Sequence, residues 1–303
     1  MSQHEALPPD SAAEPAVVLE EVEHGIALLK LNRPSTLNAM NRQLIEQLHA
    51  HIDAVDQRED LRVLILTGAG RGFCSGLDLA DPTLLERPQL NRPQPDGPQP
   101  DGPQPDGPQP DGTAARPAPP TRGRPQAGMA LQQEIAELIP KLRSLRIPVI
   151  AAVNGPATGG GLALVCGADL RIASQSAKFG VAFIRIGLSA CDIGVSWILP
   201  RLVGAARAQE LMLTGRIFDA EEAERIGLVT QVVPDNELLD SALQLAGQVA
   251  ANSPFGVWMT KEVMWSNLET GSQRAAIDLE NRTQILSSFT EDMGEAVVAF
   301  LGK

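Results

Sequence analysis

The chain has 303 residues, of which 43% are hydrophobic, so it is long enough to bury a large core. Its formal net charge of -12 and pI near 4.8 argue against a nucleic-acid partner, because phosphate binding needs a basic patch. No signal-peptide pattern opens the chain, and no run of about 18 apolar residues predicts a membrane span. These features predict an acidic cytoplasmic protein without a membrane segment.

The cysteines give no sign of a metal site. Cys74, Cys166 and Cys191 form no Cys-x-x-Cys pair and lie near no histidine-rich motif. We therefore predict three reduced, buried thiols and no bound metal.

The first third of the chain predicts a small sheet and one helix. Residues 1–15 are rich in Ala, Pro and Glu and predict a disordered tail. Two apolar runs within residues 17–31 predict a β-hairpin, and the apolar spacing over residues 44–55 predicts an amphipathic helix. The apolar run 61–67 predicts a buried strand, which leads into a glycine-rich turn over residues 68–78.

Residues 81–128 differ in composition from the rest of the chain. Pro-Gln-Pro-Asp-Gly is repeated in tandem between Pro93 and Gly112. The repeat has no apolar position with which to form a core, and it suits neither a helix nor a strand. We predict a flexible insertion.

After the insertion, a helical pattern over residues 129–145 precedes the buried strand Val149–Val153. This strand leads into a second glycine-rich turn, which ends at Gly159-Gly160-Gly161 and opens a helix. Glycines here let backbone N–H groups face a ligand at the positive end of that helix. The second turn therefore predicts a site for a negatively charged oxygen.

The remaining pattern completes the domain organisation. Phe179-Gly180 is typical of a turn, and the pattern after residue 236 is helical almost throughout. We predict an α/β core formed by residues 16–80 and 129–235, followed by a C-terminal helical region over residues 236–303.

Common nucleotide and hydrolase motifs do not fit the two turns. Neither turn has the Gly-x-Gly-x-x-Gly pattern with a downstream acid, the Gly-Lys-Ser/Thr of a P-loop or Gly-x-Ser-x-Gly. All four histidines precede residue 52, which argues against a Ser/His or Cys/His hydrolase.

Four motifs in order resemble the crotonase, or enoyl-CoA hydratase/isomerase, superfamily. They are Asn32-Arg-Pro with Asn38-Ala-Met40, Phe73-Cys-Ser-Gly-Leu-Asp78, Ala152-Val-Asn-Gly with Gly159-Gly-Gly161, and Ala-Phe-Leu near the C-terminus. The resemblance covers nearly the whole chain except the tail and the insertion. It implies an α/β spiral of ββα units with a C-terminal helical trimerisation region, a homotrimer or a homohexamer, and an acyl-CoA thioester as substrate, with no permanently bound cofactor.

The resemblance also implies the site. The backbone N–H groups of Leu77 and Gly160 would hold the thioester oxygen as it gains charge, a role that contributes on the order of 10²–10³ in rate for each donor. Residues that match substrate-binding or CoA-binding positions are Arg33, Ala39, Cys74, Ser75, Gly76, Asp78, Leu79, Gly159, Ala163 and Phe183.

The sequence departs from the family at the acid/base positions. Ala163 and Phe183 match the two glutamates of the hydratases, and neither side chain transfers a proton. The acid that remains is Asp192, which matches a catalytic Asp of dienoyl-CoA isomerases and the nucleophilic Asp of the chlorobenzoyl-CoA dehalogenase branch.

Several interpretations of Asp192 stay open. It precedes a predicted helix and is a candidate N-cap. As a functional group it would be the acid/base of an enoyl-CoA hydratase/isomerase-type enzyme that stabilises a thioester enolate, with standard hydratase activity in doubt. Alternatively, it would be the nucleophile of a thioester hydrolase or displacement enzyme. A third hypothesis is a non-catalytic acyl-CoA-binding protein.

Overall fold

The computed structural model describes residues 14–23, 25–84 and 124–301. Most of the predicted N-terminal tail and all of the tandem repeats lie outside the described residues. The helix that follows the insertion begins at Arg124, so it includes the last residues that we assigned to the insertion.

The described part of the chain forms nine strands in two sheets. The strands are β1 (Val17–Glu23), β2 (Ile26–Leu31), β3 (Val63–Gly68), β4 (Val149–Val153), β5 (Ala157–Thr158), β6 (Leu170–Ser174), β7 (Lys178–Gly180), β8 (Ile217–Asp219) and β9 (Gln231–Val233). The larger sheet has the order β1-β2-β3-β4-β6-β9, and the smaller has the order β5-β7-β8. In the larger sheet only the β1–β2 hairpin is antiparallel.

The helices are α1 (Arg42–Asp56), α2 (Arg124–Ser144), α3 (Gly160–Gly167), α4 (Val195–Val203), α5 (Ala205–Thr214), α6 (Ala220–Arg225), α7 (Leu238–Ala250), α8 (Pro254–Glu269), α9 (Gln273–Ser288) and α10 (Glu291–Leu301). A short 3-10 helix, Ala182–Ile186, follows β7. None of the described helices is both long and apolar enough to cross a membrane.

Both faces of the parallel strands are buried, as their almost continuous apolar sequences require. Along β3, Leu64 and Leu66 point into the larger core cluster, which α1, α2 and α3 share. Val63 and Ile65 point to the opposite face, where α7 covers a smaller cluster. This alternation follows from the two-residue period of a strand.

The parallel arrangement brings the two glycine-rich turns together. β3 and β4 are hydrogen-bonded neighbours that run in the same direction, so the turns that follow them leave the sheet at the same edge. The second turn then enters α3 at Gly160. The site predicted from the sequence therefore lies beyond the carboxyl ends of these two strands.

Several local predictions are confirmed. The hairpin forms between β1 and β2, and the amphipathic helix predicted over residues 44–55 is α1. The structure adds its cap, since Asn41 accepts a hydrogen bond from the Leu44 N–H. The turn predicted at Phe179-Gly180 is wrong, because these residues belong to β7, which pairs with β5 and β8. Strands of two and three residues are too short to produce a periodic pattern in the sequence.

Helix α8 of the C-terminal region is joined to the core by a buried ion pair. Lys261 on α8 lies 2.9 Å from the Asp169 carboxylate and donates to the backbone oxygen of Ile147. Asp169 also accepts a hydrogen bond from the Trp265 indole N–H. These contacts join α8 to the segments that precede β4 and β6, and they satisfy a charge that would be unfavourable if buried alone.

Candidate active site

The first glycine-rich turn, Gly68–Asp78, is held by two asparagine side chains. The fully buried Asn38 donates to the backbone oxygens of Ala69 and Gly72. Asn154, at the end of β4, accepts from the Gly68 N–H and donates to the Gly70 oxygen. The polar backbone of the turn is thereby paired within the protein, which fixes its shape.

The second turn, residues 154–161, packs directly against the first. Thr158 N–H donates to the Cys74 oxygen at 3.0 Å. A Cβ on Gly161 would lie 2.0 Å from that same oxygen, and a Cβ on Gly76, whose φ is +95°, would lie 2.9 Å from the Thr158 oxygen. Contacts this close exclude a side chain, so glycine at both positions follows from the packing and not only from the turns.

The packing leaves two amide groups unpaired. Met40 pairs with Leu77 as in a parallel ladder, but the bonds run from Met40 N–H to the Gly76 oxygen and from Asp78 N–H to the Met40 oxygen. The N–H of Leu77 therefore points away from Met40. It donates no hydrogen bond to a described atom, and neither does the N–H of Gly160 at the start of α3. Gly160 is buried, and such donors favour an anionic partner.

A cavity of about 150 Å³ lies beside these two amides. Its wall is mostly apolar. The lining residues are Met40, Ser75, Gly76, Leu77, Leu79, Gln132, Ile135, Gly159, Gly160, Ala182, Phe183, Ile186, Leu188, Asp192 and Ile193. A small cavity with a mostly apolar wall and a few polar groups is typical of a small-molecule site.

Asp192 is the only ionisable side chain among the described residues that line the cavity. Partial burial raises its pKa above the ordinary carboxyl value, and hydrogen bonds from the Ile193 N–H and Gln132 oppose that rise. One interpretation of the sequence made Asp192 the N-cap of the helix that follows it, and this interpretation is wrong for α4. The N-cap is Gly194, with φ +77°, and the Asp192 side chain bonds the Ile193 N–H instead.

Phe183 forms part of the cavity wall, and it is one of the two positions that the resemblance matched to the glutamates of hydratases. Its ring is 7% exposed, and a Cβ built on Gly159 would lie 3.5 Å from it. Ala163 is buried within α3 and does not line the cavity. Cys74 is also buried outside the cavity wall, and burial raises the pKa of its thiol to about 12.

The predicted binding residues near the first turn fall into two groups. Ser75, Gly76 and Leu79 line the cavity with Leu77 and Gly159, and Leu79 is exposed at its edge. Arg33 and Asp78 form an ion pair at 2.9 Å outside the cavity wall, and Arg33 also donates to the Ala39 oxygen. Asp78 also accepts a hydrogen bond from the Ala80 N–H, a contact typical of an Asp in a turn.

Two features of the site were not predicted from the sequence. Gln132 on α2 donates a hydrogen bond to Asp192 across sixty residues of chain. Ile193 has φ +46°, which is unusual for a β-branched residue, and its side chain is close to Gly160. A related prediction is wrong, since Cys191 is exposed and not buried.

Comparison with known proteins gives a consistent result. The family model described as enoyl-CoA hydratase/isomerase matches residues 21–92 and 121–303. A probable enoyl-CoA hydratase, EchA12 of Mycobacterium tuberculosis, is 38% identical over 284 residues, covering 93% of this chain and 89% of the relative. The 1,2-epoxyphenylacetyl-CoA isomerase of Escherichia coli is 38% identical over 286 residues, covering 94% of this chain and 95% of the relative.

Solved structures agree with the sequence relatives. A probable enoyl-CoA hydratase/isomerase from Mycobacterium abscessus superposes with a TM-score of 0.78 at 33% identity, covering 95% of this chain and 96% of that one. A monofunctional enoyl CoA isomerase from M. smegmatis superposes with a TM-score of 0.65 at 35% identity, covering 87% and 98%. Motifs, fold and relatives together show that the chain belongs to the enoyl-CoA hydratase/isomerase family and has the crotonase fold.

Proposed function

We propose that this acyl-CoA enzyme isomerises an unsaturated thioester, with an aliphatic or aryl acyl group, by moving one proton through Asp192. The observation that carries the proposal is that Asp192 is the single ionisable side chain in the described cavity wall, beside two unpaired amides. One carboxylate is sufficient for a proton shift, because the proton that it removes is the proton that it returns.

The reaction conserves atoms and charge. The Asp192 carboxylate removes a proton from the α carbon of a β,γ-unsaturated thioester, and the electron pair moves onto the thioester oxygen. The neutral Asp192 then gives the proton to the γ carbon, and the electron pair returns from the oxygen to form the α,β double bond. The carboxylate is regenerated at the end of each turnover.

The amides of Leu77 and Gly160 stabilise the charge formed between these two steps. They belong to separate turns that are packed against each other, so they need little rearrangement when the oxygen becomes negative. The N-terminus of α3 adds a partial positive charge at Gly160. Fixed donors of this kind lower the barrier most when they face the charge of the transition state.

Water addition fits this site less well. Hydration needs a group to activate water and another to protonate the α carbon, whereas Phe183 presents a hydrocarbon ring and Ala163 is buried. The names of the relatives support both chemistries in the family, since EchA12 is a probable hydratase and the E. coli protein is an isomerase. The composition of this cavity favours the isomerase.

The test compares the wild-type protein with Asp192→Asn on a panel of β,γ- and α,β-unsaturated acyl-CoAs. Double-bond migration is followed by absorbance, and proton exchange in D₂O is followed by NMR. We expect the wild-type protein to move the double bond and the variant to lose about 10²–10⁴-fold in kcat. Full activity in the variant would remove Asp192 from the mechanism. Binding of a saturated acyl-CoA reports whether the variant keeps its site.

Mass spectrometry, binding and product analysis with the same panel of acyl-CoAs separate the competing hypotheses. An acyl or aryl adduct on Asp192, detected by mass spectrometry during turnover, would favour nucleophilic displacement over proton transfer. Tight binding of several acyl-CoAs without turnover of any would favour a non-catalytic binding protein. Formation of a hydroxyacyl-CoA at the rate of isomerisation would contradict the preference for isomerisation.

We also propose that the chain forms a homotrimer, alone or paired into a hexamer. Large apolar side chains are exposed on α9, on α10 and between them, among them Phe289 at 83%, just after α9, and Val298 on α10 at 73%. An apolar surface of this kind favours association. Light scattering of the purified protein measures the assembly, and a monomeric mass at micromolar concentration would contradict the proposal. Phe289→Asp should shift the population toward monomer.

A further inference from the structure

The Asp192 carboxylate is held through one of its two oxygens. Oδ1 accepts a hydrogen bond from the Gln132 side-chain amide and a second, at 2.8 Å, from the Ile193 N–H. Oδ2 accepts none from the described residues. The carboxylate is therefore asymmetric, with one oxygen engaged by the protein and one left for another partner.

We propose that Gln132 is a positioning residue, which fixes the Asp192 carboxylate through Oδ1 so that Oδ2 is the oxygen that exchanges the proton. This inference rests on the proposed function of Asp192 and adds to it a residue from a different helix. Gln132 itself does not transfer a proton, since a side-chain amide has no suitable acid or base form at neutral pH.

The backbone around Asp192 explains why a tether is needed. Ile193 and Gly194 have φ of +46° and +77°, and the segment 187–194 contains no regular strand or helix. A positive φ is unfavourable for a β-branched residue, so this conformation persists only when its surroundings hold it. The Ile193 N–H moves with the same loop as Asp192. Gln132 is the contact that connects the carboxylate to a separate element.

Gln132 is well placed for this role because α2 is firmly packed. Ile135, three residues farther along the helix, is buried and lines the same cavity. Residues three apart share a helix face, so Gln132 and Ile135 approach the cavity together. Glu134 pairs with Arg42, and its backbone oxygen contacts the His49 ring, which fixes this turn of α2 on α1.

Because no other charged side chain lines the described cavity wall, the effect of Gln132 on the pKa of Asp192 should be measurable. The cavity-facing residues of α2, the 3-10 helix and both glycine-rich turns carry no charge. Glu134 on α2 and Arg185 on the 3-10 helix lie outside the cavity wall. Burial raises the pKa of Asp192, and the Gln132 hydrogen bond lowers it. Loss of Gln132 should thus raise the pKa further and move the acid limb of the pH–rate profile to higher pH.

The experiment uses Gln132→Leu in the full-length protein, with Gln133→Leu as the matched control. Gln133 is the next residue on α2, is exposed and does not line the cavity. We expect Gln132→Leu to lower kcat about 10-fold with little change in KM, because the carboxylate loses its orientation while the binding surface stays intact. Gln133→Leu should match the wild-type protein in kcat, KM and pH profile.

A carbon-13 NMR titration of the Asp192 carboxyl supplies a readout that does not need turnover. A higher pKa in Gln132→Leu supports the inference, and an unchanged pKa together with unchanged kcat overturns it. If Asp192→Asn keeps full activity, the proposed function fails, and the titration alone then decides whether Gln132 holds the carboxylate. Should Gln132→Leu unfold, Gln132→Ala provides the same comparison with less added apolar surface.

Discussion

The two sides of the cavity are held by different means. The glycine side is formed by Gly68–Asp78 and residues 154–161. It presents backbone N–H groups, and the two turns are held by hydrogen bonds and by packing that is too close for a side chain at Gly76 or Gly161. The Asp192 loop, residues 187–194, presents a side chain that is oriented by a backbone N–H and one amide from α2. The first arrangement is rigid and suits a charge that appears in one place. The second depends on a side chain and on a contact between two separate elements.

The largest effect is expected from Gly161→Ala, which tests the rigidity of the glycine side. The new Cβ would meet the Cys74 oxygen at 2.0 Å, and a backbone atom cannot move aside cheaply. We expect a loss of about 1–3 kcal/mol or more in the free energy of unfolding. Displacement of the Gly160 N–H should also lower kcat about 10²–10³-fold. Thermal unfolding and steady-state kinetics measure the two effects.

Gly247→Ala is the control for that variant. Gly247 lies within α7, and nothing is within 4 Å of a Cβ built there. Alanine is favoured over glycine in a helix interior by about 1 kcal/mol, so this variant should be slightly stabilised and fully active. Similar behaviour of the two variants would show that the glycine turns are not tightly packed.

A smaller combined effect, on stability and not on the backbone donors, is expected from Phe183→Ala, which changes the wall between the two sides. Phe183 is 7% exposed, and a Cβ built on Gly159 would lie 3.5 Å from its ring, so loss of the ring should lower the free energy of unfolding by about 3 kcal/mol. Phe183→Leu keeps most of the apolar contact and should lose less. Urea unfolding gives both values. Equal stability of the two variants would show that the ring does not support the turn.

The smallest effect is expected in how the stability of the protein depends on pH through Asp192. Because burial raises the pKa of Asp192, the folded protein binds this proton more tightly than the unfolded chain does. Stability should then fall as pH rises from the ordinary carboxyl pKa through the raised one, and stay lower above it. Asp192→Asn should remove this dependence and raise Tm slightly near neutral pH. A lower Tm of the variant across that range would mean that the ionised carboxylate stabilises the fold.

The glycine side was predictable from the sequence because its conformation depends on residues that lack a side chain. Runs of glycine after two buried strands indicate turns and free N–H groups, and parallel neighbouring strands bring such turns together. The pattern predicted an anion site, and the resemblance to the family implied Leu77 and Gly160 as its donors. The structure places both in the wall of one cavity.

The Asp192 loop was less predictable because its contacts depend on tertiary structure. Asp before an apolar helix is typical of an N-cap, but the left-handed Gly194 shifts the start of α4 to Val195. The Gln132 contact joins residues sixty apart, with no local signal at either end. The pairing of Phe179 in β7 likewise depends on short strands that meet only in the folded chain.

The use of backbone donors at Leu77 also bears on how the protein tolerates mutation. Every residue except proline carries an amide hydrogen, so most codon changes at this position leave the donor in place. A change at Asp192, in contrast, removes the sole ionisable group of the described cavity wall. Under the proposed mechanism, a single substitution at Asp192 would change the reaction while the backbone donor at Leu77 stays in place. The proposed backbone donors are therefore less sensitive to substitution than the proposed acid/base group.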